Sequence, residues 1–256
     1  MKIFIQIPCY NEELQIANIL SEIRNSIDIK KYNYQIIIID DGSVDKTVQV
    51  AKDQGVDKII SLKRNMGLGY AFEQGRIYAR EQEVDILINT DADNQYKCEY
   101  LVKLIEHIDS SKSDIVVGVR NFNEIEHFSK IKIFLQKLGS RVVRIISGQK
   151  ITDASSGFRA YSKDAIKKLQ VTSNYSYTLE SLIQAKEKNL LISEIPIKVN
   201  PPTRDSRLFK TMREFVTKQM LIILNAFLIY KPLHFFSTLS LLPISIGMLA
   251  IIRFFY

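Results

Sequence analysis

Residues 36–47, IIIIDDGSVDKT, set an unbroken aliphatic run directly before a doubled acid, a glycine and a hydroxyl-bearing stretch. A short run of β-branched residues ended by turn formers reads as a strand buried on both faces, here Gln35–Ile39. Working outward, the same pattern recurs at Ile3–Ile7, Lys58–Leu62, Val84–Ile88 and Ile115–Val119. Helical patterns lie between these runs, at Glu12–Ser26, Asp45–Gln54, Leu68–Gln82 and Tyr100–Ile108. The alternation predicts an α/β fold, a parallel sheet with helices on both faces. Such sheets bind ligands beyond the carboxyl ends of their strands, so the polar residues after each apolar run are the candidates for chemistry.

Asp91 and Asp93 carry the strongest signal, in ILINTDADNQ at the end of a strand. Carboxylates two apart in an extended segment point to one side, and two acids together repel unless a cation joins them. Hard oxygen ligands of this kind suit Mg²⁺ or Mn²⁺, with water and a substrate diphosphate completing the shell. Asp40 and Asp41 end the second strand; Gly42 gives turn freedom, and Ser43 or Asp45 can cap the next helix. One acid suffices for a cap, so the doubled Asp reads as an acceptor for a base N–H or a ribose hydroxyl. The first strand ends in IPCYNEE, where Pro8 is expected to stop the ladder, Tyr10 can stack on a base, and Asn11 or Glu12 can reach polar groups. The GLGYAF stretch lacks the third glycine of the dinucleotide fingerprint, which disfavours an NAD-binding domain.

Composition is that of a folded protein, 46 % hydrophobic and 25 % charged, with apolar residues gathered toward the C-terminus. Cys9 and Cys98 are too few for a disulfide framework and wrongly spaced for zinc, so a reducing compartment is expected. Met1 leads straight into a strand, with no signal peptide expected. The net charge of +7 concentrates in two stretches. From Ser129 to Lys150 there is no acid, and the second cluster runs from Lys198 to Lys218. Such clusters suit nucleic acid, phosphorylated ligands or anionic lipid, and the neighbouring sequence favours lipid over nucleic acid. Over 129–148, Ile131, Phe134, Leu135, Leu138, Val142, Ile145 and Ile146 share one helical face, and Lys130, Lys137, Arg141 and Arg144 another. This is a basic amphipathic helix of the kind that lies on a membrane, although a core-packing helix with a solvated basic face shares the pattern. A second amphipathic helix is expected over 206–231, and Leu233 to Ile252 carries no charged residue. About 20 apolar residues cross a bilayer, so 233–256 reads as a transmembrane segment. The ending at Phe254-Phe255-Tyr256 is read as a truncation, with further membrane helices expected beyond. Basic residues before the span place the domain of residues 1–205 on the cytoplasmic face of the cell membrane.

IPCYNEE, IIIIDDGSVDKT, NMGLGYAFEQG, NTDADNQY, VVGVR and DASSGFRAYSK, in that order, resemble glycosyltransferase family 2 over residues 3 to 230. Within it they are most similar to the dolichyl- and polyprenyl-phosphate sugar synthase branch. The resemblance implies a GT-A fold, a nucleotide-diphosphate sugar donor, a divalent metal and inversion at the anomeric carbon. By the same resemblance Pro8, Tyr10, Glu12, Asp40 and Asp41 hold the nucleoside, Asp91 and Asp93 bind metal and diphosphate, and Gln95 sits beside the reaction centre. Two departures concern the acceptor side. Lys132 and Gln136 stand where the branch often has Arg and Ser, and PPTRDSRL replaces its R-x-x-G-x-S-K element, with Pro201 for the first Arg and Arg204 as a substitute.

A polyprenyl phosphate acceptor is already an anion, so the enzyme must supply alignment and cations. Arg120, Arg159, Arg204 and Arg207, with Lys132, are the candidates. A hydroxyl acceptor on a lipid-linked or cell-surface glycan would instead need a general base, Asp153 or Glu180. A catalytically silent membrane scaffold is the third reading, disfavoured by the acids present. Association into a homo-oligomer through membrane helices is compatible with all three.

Overall fold

A computed structural model describes residues 1–27, 31–121, 130–172, 177–201 and 232–255, with parts of 216–228. Among them, strands β1 (Lys2–Cys9), β2 (Asn33–Asp40), β3 (Lys58–Ser61), β4 (Ile86–Asn89), β5 (Ile115–Arg120), β6 (Arg159–Ser162) and β7 (Ile192–Ile197) form one sheet, ordered β3-β2-β1-β4-β6-β5-β7. Neighbours pair in parallel except around β6, which runs antiparallel to both β4 and β5. All five predicted strands are present. The mainly parallel, GT-A-type sheet thus holds, with one reversed strand contributed by the FRAYS stretch.

Side chains alternate across the sheet. Ile3, Ile5 and Ile7 face a core closed by α1 (Ile16–Ser26), α2 (Thr47–Asp53) and α4 (Tyr100–Ser111). Phe4, Ile37, Ile39 and Leu87 face a second core closed by α3 (Leu68–Glu81), α6 (Lys163–Lys168) and α7 (Tyr177–Glu187). Burial on both faces explains why the strands read as continuous apolar runs.

Pro8 does not stop the ladder, contrary to expectation. β1 runs on to Cys9, with Pro8 in register with Ile39 and Cys9 with Asp40. The Gln6 carbonyl accepts from Thr90 on the β4 side, and the Cys9 carbonyl accepts from Asp41 on the β2 side. Even-numbered residues therefore address β4, whose pairing ends at Gln6 and Asn89, so the missing N–H of Pro8 interrupts no bond.

Helix α5 (Lys130–Ser147) matches the predicted basic amphipathic helix. It meets the domain through Ser140, Val143 and Ser147, all buried, and leaves Phe134 and Ile145, each 64 % exposed, and Leu138 pointing away. Lys137 and Arg141 are exposed beside them. Three residues of the apolar stripe are thus turned toward solvent. Helix α8 (Pro232–Phe255) contains a span, Phe235–Phe255, of 21 residues with hydropathy 2.1 and 0 % burial. At 1.5 Å per residue it is about 32 Å long, enough for a bilayer core of about 30 Å. Between them, most of 206–231 lies outside the described residues, as do Arg204 and Arg207 and the side chain of Lys132.

Candidate functional site

The β1 and β2 ends carry two loops that hold each other. The Asn11 N–H donates to Ser43 Oγ (2.9 Å) and Asn11 Oδ1 accepts from Val44 N–H (2.9 Å). The Glu12 N–H donates to Thr47 Oγ1 (2.7 Å), and Glu13 exchanges bonds with the Asp45 carboxylate and the Lys46 N–H. Asn11 takes a left-handed φ of 55°, a conformation Asn tolerates and which aims its amide at the neighbouring loop. Tyr10, 37 % exposed, stands at the edge of this frame, while Glu12 and Asp40 are buried within it. Ser43 ties the loops together and does not cap α2, whose N-cap position is Lys46; Asp45, one residue before it, accepts from the Thr47 N–H at 2.9 Å.

The doubled acid divides its work. Asp40 Oδ1 accepts from Ser43 N–H (3.0 Å), closing its own turn. Asp41 reaches sideways: Oδ1 accepts from Met66 N–H (2.7 Å) and Oδ2 from Gly67 N–H (2.9 Å), clamping the turn that starts α3. Burial pushes the Asp41 carboxyl up, and these two N–H groups oppose the shift. Gly42, at φ +74°, lets the clamp close, since a Cβ there would stand 2.5 Å from the Arg64 carbonyl carbon.

Asp91 and Asp93 follow β4, both partly exposed, but on a turn and not in the extended segment expected. Asp93 Oδ1 accepts from Gln95 N–H (3.1 Å), and Asn94 has φ 54°. Asn200 pins the turn, donating from its side chain to the Asn94 carbonyl (3.0 Å) and from its backbone to the Gln95 carbonyl (2.8 Å). Among the described residues no cluster of three or more His, Cys, Asp or Glu offers a complete protein shell for a metal. Two hard carboxylates at a sheet edge suit a cation that keeps water and binds substrate phosphate, as Mg²⁺ and Mn²⁺ do.

The loop 151–157 closes the other side. Arg120, at the end of β5, makes a bidentate pair with Asp153, Nε to Oδ2 at 2.7 Å and Nη2 to Oδ1 at 3.0 Å, and also donates to Ser155 Oγ (2.8 Å). Both side chains are buried. Burial opposes the charged form of Asp153, but the Arg120 guanidinium, together with hydrogen bonds from Ser155 and the Arg120 backbone, more than offsets it and holds the carboxyl below its usual range. Gln136 and Ser140 of α5 accept from Ser155 Oγ (2.7 Å) and Ala154 N–H (3.1 Å), joining that helix to the loop.

Four sequence assignments change here. Arg120 is engaged by Asp153 and Ser155 and is not presented as a phosphate grip. Asp153, fully buried, charged and paired, is unsuited to take a proton. Glu180 is buried against Thr172 N–H, Thr172 Oγ1 and Gln184. Arg159, with no exposure, donates to the carbonyls of Ala154, Ser156 and Thr178 and to Ser181 Oγ, so it braces the loop from inside and reaches no ligand.

Sequence reading passed over a buried polar network behind Asp91. Gln6 Nε2 donates to Asn89 Oδ1 (2.9 Å), and Asn89 Nδ2 donates to Tyr177 Oη (2.7 Å) and the Gly157 carbonyl (2.9 Å). Burial, then the nearby Asp91 charge, push the Tyr177 phenol well up, so it stays protonated and donates to the Gly157 carbonyl (3.1 Å). The available signal was Gln6 and Asn89, polar residues inside apolar strands.

Sheet order, reversed β6 and carboxylates past β4 are those of a GT-A-type fold. The chain belongs to glycosyl transferase family 2, whose profile matches residues 4–170. It is 34 % identical over 220 residues to the UDP-N-acetylglucosamine–dolichyl-phosphate N-acetylglucosaminyltransferase of Methanococcus voltae, covering 77 % of this chain and 84 % of that one. It is 25 % identical to the undecaprenyl-phosphate mannosyltransferase of Micrococcus luteus, covering 77 % and 83 %. Glucosyl-3-phosphoglycerate synthase from Mycobacterium tuberculosis, solved with Mn²⁺, uridine diphosphate and glucosyl-3-phosphoglycerate, superposes with a TM-score of 0.67 at 17 % identity, covering 89 % of this chain and 78 % of that one.

Proposed function

We propose that the protein transfers a sugar, with inversion, from a nucleotide-diphosphate sugar to a polyprenyl phosphate at the cytoplasmic face of the cell membrane. The observation that carries the acceptor is the condition of the two candidate bases. Asp153 is locked to Arg120 and Glu180 is packed against Thr172 and Gln184. A hydroxyl acceptor must lose a proton to such a group, whereas a lipid phosphate is already anionic near neutral pH and needs only alignment. The relatives named for dolichyl and undecaprenyl phosphate support the same acceptor.

On the donor side, Tyr10 offers a ring face for the base. Pro8, Glu12 and Asp40 line the frame beneath it, and the Asp41 clamp sets one wall. Asp91 and Asp93 would hold Mg²⁺ or Mn²⁺, which when bound neutralises charge on the departing nucleoside diphosphate. Gln95, its backbone fixed by Asp93 and Asn200, flanks the reaction centre. The exposed stripe of α5 and the span of α8 would keep this edge at headgroup depth, where Arg204, Arg207 and Lys132 would bind the acceptor phosphate. The test is incubation of the purified protein with a panel of labelled nucleotide sugars, undecaprenyl phosphate and Mn²⁺. Label should enter the organic phase with one donor class and stop entering with EDTA; label remaining in water with every donor would refute the reading.

A further inference from the structure

We infer that Gly157, backed by Asn89 and Tyr177, is the seat that fixes the Asp91 carboxylate, making these three positioning residues for the cation. The inference rests on the proposal that Asp91 is a metal ligand.

A Cβ at position 157 would stand 3.0 Å from each Asp91 carboxylate oxygen and 2.8 Å from the Tyr177 hydroxyl. The carboxylate thus lies against the bare Cα. Glycine is not needed here for its backbone freedom, because the positive-φ glycines are Gly42, Gly55, Gly67 and Gly148. Space for Asp91 and Tyr177 is what the position requires.

The backbone of Gly157 is held from both ends. Its N–H donates to Tyr96 Oη at 3.0 Å, and its carbonyl accepts from Asn89 Nδ2 at 2.9 Å and Tyr177 Oη at 3.1 Å. Asn89 is held in turn by Gln6, and the Tyr177 ring stacks on Phe72 with centroids 4.1 Å apart and planes 3° from parallel. The seat is therefore anchored in β1, β4, α3 and α7. A carboxylate packed on such a floor loses less rotamer freedom when it meets a cation, which is how a supporting shell raises metal affinity.

The test measures Mn²⁺ affinity of the whole protein by water-proton relaxation, with thermal unfolding alongside, in Gly157→Ala, Tyr177→Phe and the double variant. Gly157→Ala should weaken Mn²⁺ binding about ten- to a hundredfold and lower the Tm. Tyr177→Phe keeps the ring on Phe72 and should weaken binding by a smaller factor. The double variant removes the 2.8 Å clash but keeps both 3.0 Å contacts with Asp91, so it should recover Tm without recovering Mn²⁺ affinity. Should Gly157→Ala alone fail to fold, the double variant compared with Tyr177→Phe carries the result. Wild-type Mn²⁺ affinity in a folded protein carrying Gly157→Ala, or affinity returning together with Tm, overturns the seat. Asp91→Asn is the separate control: unchanged Mn²⁺ binding there would refute the metal reading itself.

Discussion

At the ends of β1 and β2, polar side chains hold one loop to the next: Asn11 to Val44, Ser43 to Asn11, Asp41 to Met66 and Gly67. Beyond β4, around the reversed strand β6, the charged side chains turn inward. Arg120 pairs with Asp153, Arg159 gathers three carbonyls, and Glu180 of α7 accepts from Thr172. The first region uses buried acids to hold its loops in place, beneath the exposed Tyr10. The second uses its charges to brace a loop, leaving ligand contact to residues outside the braced core. Charge alone does not mark a binding residue; its partners decide.

The contrast can be broken most forcefully at the buried pair. Arg120→Met would leave Asp153 buried without its counter-charge, although still bonded to Ser155, at a cost of about 3–5 kcal/mol in unfolding free energy by chemical denaturation. The pH dependence carries a sign. The folded Asp153 carboxyl lies below its usual value, so the pair's stabilisation is full above the unfolded carboxylate pKa of about 3.9 and fades as pH falls through the lowered folded value. Wild-type stability should therefore fall on acidification below that point, and Asp153→Asn should flatten the fall.

Asp93→Ala should show the opposite division of effects. Transfer should drop by at least about a hundredfold, roughly 2.7 kcal/mol, while the Tm stays near wild type, because the acid is partly exposed on a turn. An equal loss of Tm would place Asp93 with the bracing residues.

Asp41→Asn sharpens the comparison within the rim. The amide would turn a donor toward the Met66 or Gly67 N–H, costing about 1–3 kcal/mol of stability and raising donor KM through the displaced α3 turn. A kcat loss with unchanged KM and Tm would remove the clamp from the account. The smallest effect is expected at α5, where Phe134→Ser should weaken binding to anionic vesicles about tenfold and leave the fold untouched.

The first half of the fold was legible because its pattern is sequential: each apolar run is followed at once by the residues at its carboxyl edge, so IIIIDDGS and ILINTDAD disclosed a strand together with the acids that follow it. Even there Pro8 misled, since whether its missing N–H costs a ladder bond depends on where β4 stops pairing. The far half was read less well for a spatial reason. β6 spans only Arg159–Ser162 and runs backward, and β7 holds Glu194 and Pro196 within Ile192–Ile197, so neither reads as an apolar run. Arg120 and Asp153 are 33 positions apart, and nothing local announces their pairing. The seat under Asp91 unites Asn89, Gly157 and Tyr177 from three separate segments, so only folding brings it into view.

The central claim is that the acceptor brings its own negative charge, because the two candidate bases, Asp153 and Glu180, are held by other groups of the protein. The most direct measurement compares undecaprenyl phosphate with undecaprenol as acceptors for the same labelled nucleotide sugar, in the same vesicles with Mn²⁺. The account predicts label on the phosphate and none above background on the alcohol. Efficient transfer to the alcohol would contradict it.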